Sequence, residues 1–307
     1  MRQSFLLFLI FSFGLLSAQT ASETTADVNI RVNTTLVVIP VTVTDSLNRF
    51  VLGLDKQDFR VFEDGTEQKV KQFADEDAPL SIGLLVDTSG SMGSKIETSR
   101  QAVAQFLKTM NAQDEAFLVE FGDRAQLAMG FTQRMDEIQS KLTSAEPQGL
   151  TALLDGVYMG LREMKRATNP RKALLIISDG GDNNSKYTAN QIENLVREAD
   201  VQIYSMGVFG PFPYLGISAA ELSGPHLLSQ LSEQTGGRAF AAAEDSALPS
   251  IATRIGIELR NQYVLAYSPT NQNRNGKYRK VDVKLNPPQG LPALKSRWRL
   301  GYYAPTQ

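Results

Sequence analysis

Five oxygen-bearing side chains sit where chemistry is possible. Asp87-Thr88-Ser89-Gly90-Ser91 closes an apolar run, Thr151 follows Gln148-Gly149-Leu150 at the start of a helical stretch, and Asp179 precedes Gly180-Gly181-Asp182. Carboxylate and hydroxyl oxygens are hard donors, which suit Mg²⁺, Mn²⁺ or Ca²⁺ better than zinc. The Ser-Gly-Ser spacing lets two hydroxyls of one tight loop face a common point, with Gly90 relieving the steric cost of the turn. The rest of the inventory narrows the field. The chain has no Cys, which excludes disulfides, thiolate zinc sites, Cys-ligated iron–sulfur clusters and a thiol nucleophile. It has a single His, His226, so a His-cluster metal site is excluded and any His-dependent triad would run through that residue.

The elements around these residues alternate. Residues 81–87 form a largely apolar run that ends in turn residues, as a buried parallel strand does. Residues 95–110 carry Ile96, Val103, Phe106, Leu107 and Met110 on one helical stripe. Strands follow at 116–121 and 125–131, the second antiparallel to the first, then helices at 135–142 and 152–164. A strand at 173–178, a helix at 189–198, a strand at 201–208, a helix at 226–233, an edge strand at 238–241 and a helix at 247–259 complete the series. This alternation predicts an α/β domain over 80–261 with a doubly wound, mostly parallel sheet covered on both faces. In such sheets ligands bind beyond the carboxyl ends of the strands, which is where Asp87, Thr151 and Asp179 fall.

Both flanks read differently. Residues 28–32 alternate apolar and polar, and 35–45 are dominated by β-branched residues, with Pro40 marking an edge or bulge. Strand-like runs at 58–62 and 67–73 enclose Asp64-Gly65, a hairpin signal. After Asn261 the chain returns to β character at 262–267, 278–285 and 298–303. Each flank alone, 28–79 or 262–307, would leave unpaired strand edges. One β-sandwich assembled from both, with the α/β domain inserted, is the expectation. Two separate β appendages are the alternative.

Asp87-x-Ser89-x-Ser91, Thr151 and Asp179 match, in order, the positions of the metal-ion-dependent adhesion site (MIDAS) of the von Willebrand factor type A (VWA) family, which the region 80–261 resembles. The flanking Asp58-Phe59-Arg60-Val61-Phe62-Glu63-Asp64-Gly65 and Gly301-Tyr302-Tyr303-Ala304-Pro305 are similar to those of bacterial exported VWFA-related proteins, though less specific. The resemblance implies that Ser89, Ser91 and Thr151 coordinate the ion while Asp87 and Asp179 hold it largely through water. It implies a cation left electrophilic enough to accept a carboxylate from an acidic side chain of a protein partner. It therefore points to an adhesion-type binding module and not to an enzyme. The alternatives are a metal-dependent hydrolase, which would lack an evident base and the Asp-x-Asp motif because Ser89 holds its second position, and a structural envelope protein with a vestigial site.

The remaining features are weaker. Residues 1–18 carry Arg2, an apolar run over 5–16 and Ser17-Ala18, the pattern of an export signal, followed by a small, polar leader at 19–27. Export to the periplasm or beyond, with no membrane span in the mature chain, is the expectation. A net charge of −2 gives no reason to expect nucleic-acid binding. The stretch 182–185 (Asp-Asn-Asn-Ser) reads as a solvated loop before it reads as a second cation loop, and His226 as a structural residue near a helix start. Residues 209–225, rich in Phe, Pro and Tyr, read as a long rim loop suited equally to partner contact or to folding back on the domain. The basic residues Arg274, Lys277, Arg279, Lys280, Lys284, Lys295, Arg297 and Arg299 read as a solvated sheet face.

Overall fold

The computed structural model describes residues 36–75, 77–208, 219–242 and 244–306, with the side chains of 219–222 left aside. The expected signal, the leader, the strand at 28–32 and residues 209–218 lie outside them.

The central sheet holds six strands: β5 (Leu80–Asp87), β6 (Glu115–Phe121), β7 (Ala125–Thr132), β8 (Arg171–Ser178), β9 (Gln202–Val208) and β10 (Ala239–Ala242), in the order β10-β9-β8-β5-β6-β7. Every pairing is parallel except β6 with β7. Strand β5 is buried along its whole length, and alternate residues feed two cores. Ile82, Leu84 and Val86 face α1 (Ile96–Leu107), α2 (Met135–Thr143) and α6 (Leu248–Arg260). Leu85 faces α3 (Leu153–Met164), α4 (Ala189–Glu198) and α5 (Ala219–Glu233) on the other side. The period of a strand thus distributes its apolar residues to both helical layers. The chain moves one way along the sheet from β5 through β7, then returns to the far side of β5 at β8. The switch point lies between β5 and β8.

The flanks form two four-stranded antiparallel sheets. In one the order is β13 (Lys295–Trp298), β1 (Val37–Thr44), β11 (Tyr263–Tyr267), β4 (Val70–Ala74); in the other it is β14 (Gly301–Tyr303), β12 (Tyr278–Leu285), β2 (Phe59–Glu63), β3 (Thr66–Gln68). Each sheet draws strands from before and after the α/β region. Ile39, Val41, Phe59, Val61, Tyr263, Leu265, Val281 and Val283 share one core between them. Strand β1 pairs with β13 only from Val41 onward, so Pro40 lies where β1 has a single neighbour, the edge position to which proline is suited. Asp64 and Gly65 both have positive φ, 48° and 82°, as the tight β2–β3 turn requires.

Three expectations are corrected. The stretch 298–303 is two strands, not one: the break at Arg299-Leu300 sends β13 and β14 to different sheets. The basic residues are not uniformly solvated, because Arg279 and Arg299 are buried. Arg279 Nη1 meets Glu63 Oε1 at 3.1 Å inside the sandwich, and Arg299 Nη1 meets Asp200 Oδ1 at 3.1 Å where the sandwich touches the α/β unit. Helix α5 begins at Ala219, well before 226, and carries Pro225 inside it. His226 is therefore mid-helix, and it is exposed.

Glu63 is 2% exposed and accepts three bonds from distant strands: Arg279 Nη1, Tyr267 Oη at 2.9 Å and Tyr302 Oη at 2.7 Å. Burial beside this carboxylate pushes both phenols above their ordinary range. The network spans both sheets and both flanks. Glu63→Ala should lower the unfolding free energy in a denaturant titration by about 3 kcal/mol, because it leaves a buried arginine unpaired. A fragment of residues 80–261 should give a cooperative unfolding transition, whereas 28–79 alone should give none, since its strands find their neighbours in β11–β14. A folded, monomeric 28–79 fragment would refute the inserted arrangement.

Candidate metal centre

Strands β5 and β8 are neighbours at the switch point, so their carboxyl ends place Asp87 beside Ser178-Asp179. Asp87 is fully buried. One carboxylate oxygen accepts the Ser178 hydroxyl at 2.5 Å, and the other accepts the Ser89 backbone N–H at 2.9 Å. Desolvation outweighs these bonds and raises its pKa from 3.8 to about 6, with the nearby charge of Asp179 adding to the rise. A carboxylate held this way is short of positive charge.

The loop after Asp87 is fixed from two sides. Thr88 N–H donates to Phe121 O at 2.8 Å, Gln148 N–H to Thr88 O at 2.9 Å and Gly90 N–H to Gly149 O at 3.0 Å. These bonds join the Ser89–Ser91 turn to the 148–151 loop. The hydroxyls of Ser89 and Ser91 lie 3.1 Å apart, the first buried and the second exposed. Gly149 has φ +75°, and a Cβ there would come within 2.4 Å of the Asp123 carboxylate carbon. That carboxylate in turn accepts the Leu150 N–H at 2.7 Å.

Thr151 is 4% exposed and is clasped by the 182–185 loop. Asn183 Oδ1 accepts the Thr151 N–H at 2.9 Å, while Thr151 O accepts the N–H groups of Asn183 and Asn184 at 3.0 and 3.1 Å. Asp182 Oδ1 accepts from Ser185 Oγ at 2.5 Å and from Leu154 N–H at 3.2 Å, and burial raises its pKa. The Asp-Asn-Asn-Ser stretch is exposed at Asn183 and Asn184, as a solvated loop is, and it also ties the β8 end to the start of α3.

Asp179 is nearly buried and accepts the Gly181 N–H at 3.3 Å, and Lys95 Nζ stands 3.6 Å from its other oxygen. Neither aspartate caps a helix, since the N-cap residues of α1, α3 and α4 are Lys95, Ala152 and Thr188. Gly180, with φ +79°, packs directly on Gly224, and a Cβ on either would lie within 2.8 Å of the other's backbone. Helix α5 reaches the β8 end this closely because Gly224 carries no side chain. Ser178 and Lys95 were not singled out from the sequence. A hydroxyl ending a buried strand and a lysine just before a helix carry no signal until the strand order is known.

Among the described residues no three His, Cys, Asp or Glu side chains gather closely enough to hold an ion. A cation at this point would therefore depend on hydroxyls. The pair at 3.1 Å and the charge-deficient Asp87 fit such a donor set. Gly149→Ala should cost about 1–2 kcal/mol from the left-handed backbone alone, and more as Asp123 is displaced. Denaturant unfolding should register that loss, while Gly130→Ala, with open space around it, should cost far less.

Residues 82–181 match the von Willebrand factor type A domain, so this part of the chain is a VWA domain. An uncharacterized protein of Borreliella burgdorferi is 25% identical over 191 residues, 55% of each chain. Human inter-alpha-trypsin inhibitor heavy chain H3 is 23% identical over 181 residues, covering 55% of this chain and 19% of that one. The chain thus spans about half of the first relative and a fifth of the second. Among solved structures, proximal thread matrix protein 1 from the mussel byssus superimposes with a TM-score of 0.52 at 18% identity, over 64% of this chain and 51% of that one. The same mussel protein has also been solved with a zinc-occupied MIDAS motif, at a TM-score of 0.50.

Proposed function

We propose that the protein is a cation-dependent protein-binding module of the adhesion type, exported from the cell, in which the VWA domain presents the recognition surface. The observation that carries this reading is the meeting of a buried, charge-deficient Asp87, the Ser89–Ser91 hydroxyl pair and Asp179 at the switch point of the sheet. Ser89, Ser91 and Thr151 would ligate a divalent ion, Mg²⁺ or Mn²⁺ and, with more room, Ca²⁺. Asp87 and Asp179 would hold it mainly through water. A cation neutralised by few direct negative charges supplies a Lewis-acidic point that accepts a carboxylate from a partner's acidic side chain. The protein's own part is to keep the donors in place. Ser178 and the Ser89 N–H orient Asp87, and the 182–185 clasp fixes Thr151.

Several features support binding over turnover. Both carboxylates are engaged, Asp87 by Ser178 and Ser89, Asp179 by Gly181 and Lys95, which leaves neither free to act as a general base. Leu150, half exposed next to Thr151, offers apolar area at the rim, where a partner surface would add affinity to the ion contact. Lys95 beside Asp179 supplies positive charge in the absence of an ion, and it would have to yield part of that contact on loading. The pattern of residues 1–18 supports export, and no helix among the described residues is long and apolar enough to cross a membrane.

Calorimetry with Mg²⁺ and Mn²⁺ tests the proposal. Asp87→Ala should abolish binding while leaving the circular dichroism spectrum unchanged. Thr151→Ala should weaken capture of a partner more than it weakens the ion, because it removes one neutral ligand of several. Unchanged ion affinity in the well-folded Asp87→Ala protein would sink the assignment.

A further inference from the structure

A second polar site lies away from the switch point, at the seam between the α/β unit and the sandwich. The turn between α5 and β10 packs against β13 closely enough that a Cβ on Gly236 would lie 2.6 Å from the Trp298 carbonyl carbon. Beside this contact opens a cleft of about 460 Å³, lined by Glu233, Gly237, Arg238, Ser296, Arg297 and Trp298 among others. Two of its lining side chains are arginines, one from each side of the seam.

These arginines are short of partners. Nη1 of Arg238 and Nη1 of Arg297 are each buried with no hydrogen-bond acceptor among the described residues. Neither guanidinium lies within ion-pair distance of a carboxylate there, although the ion pairs of Arg279, Arg299 and Arg260 are all made. Arg238 stacks over the Phe240 ring at 4.5 Å, and Arg254 approaches the same ring at 5.8 Å. Arg254 donates one bond, to Asn48 O at 3.2 Å. The inward anion of the group is Glu258, fully buried, whose Oε1 accepts Tyr204 Oη at 3.3 Å while Oε2 has no partner. Glu233 at the mouth is exposed and accepts the Ser229 hydroxyl at 2.6 Å.

The charges do not balance. Three guanidiniums act on Glu258, and burial still raises its carboxyl pKa. Burial and the neighbouring charge of Arg297 lower the pKa of Arg238. Both arginines are partly buried, and a desolvated guanidinium nitrogen without an acceptor is costly unless something else completes the pairing. A guanidinium presents parallel N–H donors that fit the two oxygens of a carboxylate or phosphate.

We propose that this seam cleft binds a small oxyanion, a carboxylate or phosphate group received by Arg238 and Arg297. The bound group would bridge β10 of the α/β unit and β13 of the sandwich. The site is independent of the switch-point carboxylates and of any cation there.

Trp298 makes the test direct, because it is the only tryptophan of the chain and it lines the cleft. The full chain is titrated with inorganic phosphate, and separately with acetate, at ionic strength held constant with chloride and with EDTA present. Tryptophan fluorescence should change saturably with at least one of the two anions, and the same anion should raise the melting temperature. A response to phosphate alone assigns the phosphate class, and a response to both assigns oxyanions generally. Arg238→Gln and Arg297→Gln should each weaken the response by about tenfold. In chloride alone both variants should melt at or above the temperature of the parent protein, since each removes a partly buried guanidinium that has a nitrogen without an acceptor. A response absent for both anions, or undiminished in both variants, overturns the proposal. So does a marked fall in the melting temperature of both variants in chloride, which would show that the guanidiniums are already paired within the fold. Loss of cation binding in Asp87→Ala has no bearing on this titration, so the two readings fail separately.

Discussion

A buried carboxylate at the point where the sheet changes direction governs the arrangement of this molecule. Asp87 can sit fully inside only because β8 returns to lie beside β5 and brings the Ser178 hydroxyl to it. The backbone turn at Ser89 supplies its second donor. Those two bonds do not offset desolvation, so the end of β5 is electrostatically incomplete. Everything around it limits how that deficit can be met. The Ser89–Ser91 turn is anchored to the 148–151 loop, that loop is clasped by 182–185, and the β8 end is pressed against α5 through paired glycines. The surrounding loops are therefore held in place before any ligand arrives, which is the condition for selective recognition by few donors.

The two polar sites differ in how they treat charge. At the switch point two carboxylates face one lysine and a set of hydroxyls, which leaves room for a cation. At the seam three arginines face Glu258, which leaves room for an anion. Elsewhere among the described residues some buried charges meet an opposite charge, as Glu63 meets Arg279, and others meet neutral donors, as Glu115 meets the Ser81 hydroxyl. Both sites draw their side chains from more than one element: the ends of β5 and β8 at the switch point, and the segments at β10 and β13 at the seam. Groups there are positioned by backbones that no single element controls.

Much of this was legible in the sequence, and the limits have a physical pattern. Helix α4 and strand β12 were bounded correctly because their periodicity is local. The oxygen donors were legible because strand ends in a parallel sheet collect on one rim, and the alternation of elements fixes which ends those are. What could not be read depends on contacts far apart in the chain. Arg279 and Arg299 look like surface residues until Glu63 and Asp200 are placed opposite them. Pro225 looks like a helix start, since proline favours that position. The preceding glycine instead marks a close approach to Gly180 that only the fold creates. The stretch 298–303 has the composition of one strand, and its division follows from the two sheets that claim its halves. Ser178 acquires a role only from its neighbour across the switch point.

The junction by which the chain enters and leaves the α/β unit has a consequence for how the molecule assembles. Asp77, just before β5, pairs with Arg260 at the end of α6 and with Arg171 on β8, while Arg260 also grips Asp114. Entry and exit are thereby pinned side by side. The sandwich needs β1 and β4 to find β11, partners separated by the whole α/β stretch, and closing so long a loop in an unfolded chain is slow and entropically costly. Once the α/β unit has formed, that distance collapses to the span of a single ion-pair cluster. The intervening unit then acts as an internal template, delivering the late strands to the early ones. During synthesis the first strands keep open edges until β11 and the strands after it have been made and the middle has folded, so the slower of those two steps sets how long they stay exposed.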